Sequence, residues 1–102
     1  MDTLNLLTGF FAAIEKDGRI SITHIGIYAA LVQFRIVHDY ANPIQVYSYE
    51  IMRIAKISAA TTYRKCVREL SDYGYINYVP SFKRNQASKI YFPDYPFNTV
   101  TN

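Results

Sequence analysis

Residues 48–92, SYEIMRIAKISAATTYRKCVRELSDYGYINYVPSFKRNQASKIYF, carry the pattern that decides the fold. Ser48 opens a short helical run of about Tyr49 to Lys56, with Ile51, Ile54 and Ala55 turned inward. After Ile57, Ser58 stands immediately before a second run. It is the expected N-cap, since a serine hydroxyl accepts from open first-turn amides. That run, Ala59 to about Tyr73, stops at Gly74, a residue suited to the left-handed position after a helix. Ile76–Val79 alternates like a strand, Pro80 and the polar Ser81–Ala87 read as a loop, and Ser88–Phe92 reads as the returning strand. The spacing predicts two helices joined by a tight turn, then a β-hairpin.

Upstream, about Asp2 to Lys16 places Leu4, Leu7, Phe11 and Ile14 on one helical face, and Asp17-Gly18 ends the run with a turn. Arg19–Ser21 reads as a short β-like run, and Thr23 as the N-cap of a long helix reaching about His38. Residues 24–38, HIGIYAALVQFRIVH, are apolar nearly all round. Ile25, Tyr28, Ala29, Val32 and Ile36 form one stripe; Ile27, Leu31 and Phe34 form another. A helix apolar on both faces is buried on both sides. The first helix and a second copy of the chain are the expected covers, with a homodimer interface at Leu4, Leu7, Phe11, Ile27 and Leu31. Asn42-Pro43 then breaks the chain before a short strand at Ile44–Tyr47. The expected class is mainly α with a small β-hairpin (α+β). Residues 1–18 form a dimerisation helix, 19–92 the domain, and 93–102 an irregular tail.

The net charge of +3 conceals a segregation. Residues 1–52 hold three basic and five acidic side chains, residues 53–89 eight basic and two acidic, and residues 90–102 a single acid. Clustering of that kind attracts a polyanion even when the whole chain is only mildly basic. Within 59–73, Tyr63, Cys66, Val67 and Leu70 form the inward set, and Thr61, Arg64, Lys65 and Arg68 the opposite face. Ala59, Ala60, Thr61 and Thr62 are small enough for the helix end to approach a groove floor and touch thymine methyls, and the amides there suit a phosphate. The forked guanidinium of Arg64 suits a bidentate guanine contact, whereas Lys65 and Arg68 suit phosphates. Ser58 belongs to the same surface, and Arg53 and Lys56 on the preceding helix can clamp the backbone. Lys83 and Arg84 occupy the hairpin tip and Lys89 starts the return strand, a basic element fit for the minor groove or the adjacent backbone. Phe82 beside them is expected to fold back on the sheet.

Residues 48–92 resemble the helix-turn-helix and wing of bacterial winged-helix DNA-binding proteins. In that family a recognition helix ends in a Leu-x-x-x-Gly-x-Ile-like segment before a β-hairpin wing, and Leu70, Gly74 and Ile76 stand at those positions here. The chain is also similar to small winged-helix proteins of bacterial mobile elements. The resemblance covers 19–92 and implies a winged helix-turn-helix carrying an extra N-terminal helix. It further implies sequence-specific binding of double-stranded DNA, with transcriptional regulation as the leading role. A protein-interaction module, or a replication or excision accessory factor, is the alternative.

Other classes find less support. The 102 residues are enough for one domain, and 50% hydrophobic content supplies a core. A single cysteine, Cys66, forms no internal disulfide and points to a reducing compartment. The apolar stretch Leu4–Ile14 lacks a preceding basic region and is not read as a secretion signal, so a cytoplasmic location is expected. His24 and His38 lie fourteen positions apart on one helix without ligand spacing, and no metal or cofactor is expected. Glu15 and Asp17 are explained by solvation at a helix end. No Gly-rich phosphate loop, nucleophile elbow or HExxH sequence occurs, and no catalysis is expected. Tyr73, Tyr75, Tyr78 and Tyr91 suit either stacking on single-stranded bases or, preferentially, the seam between hairpin and helices.

Overall fold

Helix α2 (Ile22–Val37) packs against three other helices. The computed structural model describes residues 3–83, 86–94 and 97. In chain order the elements are α1 (Thr3–Ile14), α2, β1 (Ile44–Val46), α3 (Ser48–Ala55), α4 (Ala60–Asp72), β2 (Asn77–Val79) and β3 (Ser88–Tyr91). They make a compact α+β domain of four helices and a three-stranded antiparallel sheet with strand order β1-β3-β2. No helix among the described residues is long and apolar enough to cross a membrane.

One stripe of α2 is covered within one chain and the other largely so, with Ala29 and Ile36 left exposed. Ile27, Tyr28, Leu31, Val32 and Phe34 all belong to a single buried cluster with Leu6 and Phe10 of α1, Ile51 of α3 and Val67 and Leu70 of α4. This corrects the expected dimer interface. Ile27 and Leu31 are 0% exposed and offer no surface to a second copy. The buried face of α1 also differs from expectation. Leu6 and Phe10, four residues apart, point inward, whereas Leu4 and Phe11 are exposed and Leu7 and Ile14 half-buried. Since α1 is apolar on most sides, periodicity alone does not select the face. The stacking of Phe10 on Tyr28, with centroids 3.8 Å apart and rings within 3° of parallel, does.

The start of α2 lies earlier than Thr23. Ser21 is the N-cap: its hydroxyl accepts from the His24 amide at 3.4 Å, and its own N–H donates to His24 Nδ1 at 2.9 Å. This reciprocal pair is a capping box with histidine in place of the usual Glu or Gln. Arg19–Ser21 accordingly forms no strand but a turn leading into the cap. His24 Nε2 faces the other way, 3.0 Å from Glu69 Oε1, and ties the first turn of α2 to α4.

Gly74 ends α4 at φ 93°, with its N–H donating to the Ser71 carbonyl and the Tyr75 N–H to the Leu70 carbonyl. These two bonds make the Schellman arrangement, and the positive φ explains glycine at that point. The turn sends Tyr75 back into the core, where its hydroxyl donates to Asp17 Oδ2 at 2.7 Å. The sheet then closes over the helices through Ile90, which is opposite Ile44 on one side and Tyr78 on the other. Beyond the end of β1 the Asn42 side chain continues the ladder. Its Nδ2 donates to the Phe92 carbonyl and its Oδ1 accepts from the Phe92 N–H, both at 2.9 Å.

Asp17 is therefore no solvated helix-end acid. Its side chain is 5% exposed and accepts from Arg19 Nε, Arg19 Nη2, the Arg19 amide and the Tyr75 hydroxyl. The Arg19 guanidinium holds the carboxyl well below the usual carboxylate range, outweighing the opposing effect of burial. A depressed folded-state pKa stabilises the fold at pH values above the unfolded pKa of about 4, and that stabilisation drains as pH falls toward the folded value. Asp17→Asn should flatten the acid limb of stability against pH between about pH 4 and pH 2. Asp17→Ala, which strands the buried Tyr75 hydroxyl, should cost about 1–3 kcal/mol at neutral pH. Urea denaturation across pH reads both effects; an unchanged acid limb in Asp17→Asn would refute the role given to this carboxylate.

Candidate nucleic-acid interface

Helix α4 separates its two faces cleanly. Tyr63, Cys66, Val67 and Leu70 are buried, and Thr61, Thr62, Arg64, Lys65 and Arg68 are exposed. The inward set follows the spacing of the sequence, because four apolar side chains at intervals of three and four must share one side of a 3.6-residue helix. Burial pushes the Cys66 and Tyr63 acids upward, so both stay protonated members of the core near neutral pH.

Ser58 is exposed and does not occupy the N-cap position, which falls at Ala59 with no side-chain hydrogen bond. The displacement arises in the preceding turn. Lys56 takes up a left-handed conformation at φ 63°, and the Ile57 N–H closes back on the Met52 carbonyl. Ser58 is thereby spent on the turn and α4 starts one residue later. With no acceptor from its own cap, the first turn of α4 leaves amide donors facing outward beside Ala59, Ala60, Thr61 and Thr62. Helix α3 begins differently: the Tyr47 N–H donates to Glu50 Oε1 at 2.9 Å.

Arg64 and Lys83 line one open concavity of about 430 Å³. Its other walls include Tyr47 and Ser48 at the start of α3, Tyr78 of β2, and Phe82 and Gln86 beside the hairpin loop. The basic helix face and the hairpin thus converge on the same side of the chain. Arg68 leans over the Tyr78 ring at 5.7 Å, so its guanidinium is steered along the sheet edge. Lys65 is exposed further round the helix, and Arg53 and Lys56 are exposed on α3 and its turn without lining the concavity.

Other sequence expectations land elsewhere. Lys89 lies between Ser88 and the buried Ile90 and so projects from the outer face of the sheet, away from the Arg64 concavity. Arg84 lies outside the described residues. Phe82 does not fold back: it is 92% exposed. Tyr75 is buried and Tyr73 and Tyr78 half-buried, as seam residues would be; Tyr91 remains 37% exposed. Tyr47, stacked at 5.6 Å on the exposed Tyr49, is an aromatic wall of the site that the sequence pattern places only at a strand end. Its position next to Ser48, at the junction of strand and helix, was the available signal.

No protein-family model matches the chain, and neither a curated protein nor a solved structure matches it.

The left-handed Lys56 generates a stability prediction. Lys56→Gly relieves the clash of Cβ with the backbone and should raise stability by about 1 kcal/mol, while Lys56→Ala should not. Urea unfolding of the two variants makes the comparison; equal midpoints would contradict the turn geometry.

Proposed function

We propose that this chain is a winged-helix protein that binds double-stranded DNA, with α4 in the major groove and the β2–β3 hairpin as its wing. The observation that carries the reading is the convergence of Arg64 and Lys83 on one concavity. Support comes also from the order helix, strand, helix, helix, hairpin after α1, and from the sheet order β1-β3-β2, which places the hairpin beside α4. Helix α3 crosses the phosphate backbone with Arg53 and Lys56, and the uncapped first turn of α4 meets a phosphate. Arg64 reads a guanine, and Lys65, Arg68 and Lys83 hold phosphates. The role is one of binding and not of catalysis, with transcriptional regulation as its biological form.

A second copy of the chain is the expected partner of α1. The surface available for it is narrower than the sequence suggested and consists of Leu4 and Phe11, 66% and 47% exposed, with the half-buried Leu7. Sedimentation at micromolar concentration should show a dimer that Phe11→Asp dissociates; a monomeric parent chain removes this part of the proposal.

Duplex affinity should fall steeply and linearly on logarithmic axes as salt rises. Arg64→Ala should cost about 1–3 kcal/mol and relax preference at one base pair. Lys83→Ala should weaken all duplexes alike and reduce the salt slope by about one. Gel-shift titrations against random and selected duplexes read each effect. Absence of duplex binding even at low salt would overturn the proposal and turn attention to a protein partner for the same surface.

A further inference from the structure

Two side chains of α4 and one remote in sequence meet on the inner side of that helix. Cys66 and Glu69 are three residues apart and share a helix face, and His24 reaches them from the first turn of α2. One imidazole nitrogen, the thiol sulfur and one carboxylate oxygen all lie within 4.8 Å of one another. We propose that His24, Cys66 and Glu69 form a binding site for a borderline-soft divalent cation of the zinc class, with a fourth position left to water. The inference stands apart from nucleic-acid binding and does not depend on it.

The donor set selects the class of ion. Thiolate and imidazole together suit zinc and its first-row neighbours, whereas magnesium and calcium demand oxygen ligands. Metal–ligand bonds of about 2.0–2.3 Å put neighbouring donors of a tetrahedral site about 3.5 Å apart, so closure on the order of 1 Å is needed. His24 Nε2 and Glu69 Oε1 are already 3.0 Å apart. The Glu69 side chain is 29% exposed and has room to move, while that of His24 is 6% exposed. An ion therefore arrives past Glu69 and is held at two buried donors. One carboxylate and one thiolate balance the two charges of the cation, leaving no net charge in the interior.

Protons balance as follows. The Ser21 N–H donates to His24 Nδ1, which places the proton of the neutral ring on Nε2, facing Glu69. On loading, Nε2 gives its lone pair to the metal and the ring proton moves to Nδ1. There it finds an acceptor, Ser21 Oγ, at 2.8 Å. The thiol proton leaves to solvent, because the cation stabilises the thiolate that burial alone disfavours. Loading therefore exchanges one hydrogen bond of the α2 cap for another and releases a single proton.

Cobalt(II) added to the full chain is the direct probe. We expect one equivalent bound, a near-ultraviolet thiolate-to-cobalt charge-transfer band, and loss of that band on zinc addition. Cys66→Ser should abolish the band, and His24→Gln and Glu69→Gln should each weaken binding by about tenfold or more. Zinc should raise the Tm of the parent chain but not of Cys66→Ser, and magnesium should raise neither. If His24→Gln fails to fold, the partly exposed Glu69→Gln decides. Absence of the band, or a band whose affinity survives Glu69→Gln, overturns the site: the first shows that no thiolate binds, the second that the thiol binds metal without its neighbours.

Discussion

A helix of sixteen residues that is apolar nearly all round has little side to give to water, and the rest of the molecule is arranged by that constraint: only Ala29, Gln33 and the two ends are left exposed. With Ile27, Tyr28 and Leu31 all at 0% exposure, α2 must be enclosed from opposite directions. Helix α1 supplies one cover through Leu6 and Phe10, and α3 and α4 supply another through Ile51, Val67 and Leu70. Burying a large aliphatic side chain is worth roughly 1.5–3 kcal/mol, so a partial cover would forgo several such contributions at once. The orientation of α4 follows from this. Once its apolar side is committed to α2, the side carrying Arg64, Lys65 and Arg68 is left exposed at the edge of the sheet.

The polar contacts work within that frame by fixing the junctions. Asp17 sits between α1 and α2, and Tyr75 lies just beyond α4, so the hydrogen bond between them joins segments 58 residues apart. Gly74 makes the contact feasible, because only a residue at ease with positive φ turns the chain sharply enough to bring Tyr75 inward. His24 joins the start of α2 to Glu69 near the end of α4 by a second route. The Tyr73 hydroxyl also donates to Glu69, at 3.3 Å, and the Arg19 guanidinium lies 4.0 Å from the centre of the Tyr73 ring. Asp17, Arg19, Tyr73 and Glu69 thus form a chain of contacts that secures α4 at the end remote from its exposed first turn. A nucleic acid meeting that first turn would meet a helix already fixed in direction.

Much of this was legible in the residues. Intervals of three and four on α4 separated Tyr63, Cys66, Val67 and Leu70 from the basic face, and the hairpin was visible from the alternation on either side of Ser81–Ala87. Gly74 marked a helix end by backbone chemistry that operates locally. Two of the misjudged features depend on contacts distant in sequence, and a third on a local backbone turn. The inward face of α1 is ambiguous in sequence because apolar residues lie on most sides of it, and the rings of Tyr28 and Tyr75 select Phe10 over Phe11. Asp17 reads as a solvated acid because Tyr75, which draws it and its neighbour Arg19 into the fold, lies beyond three further helices. Ser58 read as a cap because the left-handed turn at Lys56, which delays the helix by a residue, is not announced by a glycine.

On the proposed reading, the two faces of α4 would let one short helix serve packing and recognition at once. Recognition of a groove requires long, charged, mobile side chains, whereas packing requires short, branched or aromatic ones in fixed rotamers. Placing both on one helix without compromise requires that the boundary residues belong wholly to neither. Glu69 and Arg68 are those residues here. Glu69 is half-buried against His24 and Tyr73, and Arg68 is exposed but drawn over Tyr78. Their opposite charges sit on adjacent positions and are pulled to different sides, one toward α2 and the other toward the sheet. The same division keeps the carboxylate away from the Arg64 concavity, where a negative charge would repel a phosphate. The positive charge of the exposed face is therefore in part a consequence of packing: Glu69 is turned toward its partners His24 and Tyr73, while Arg64, Lys65 and Arg68 remain exposed.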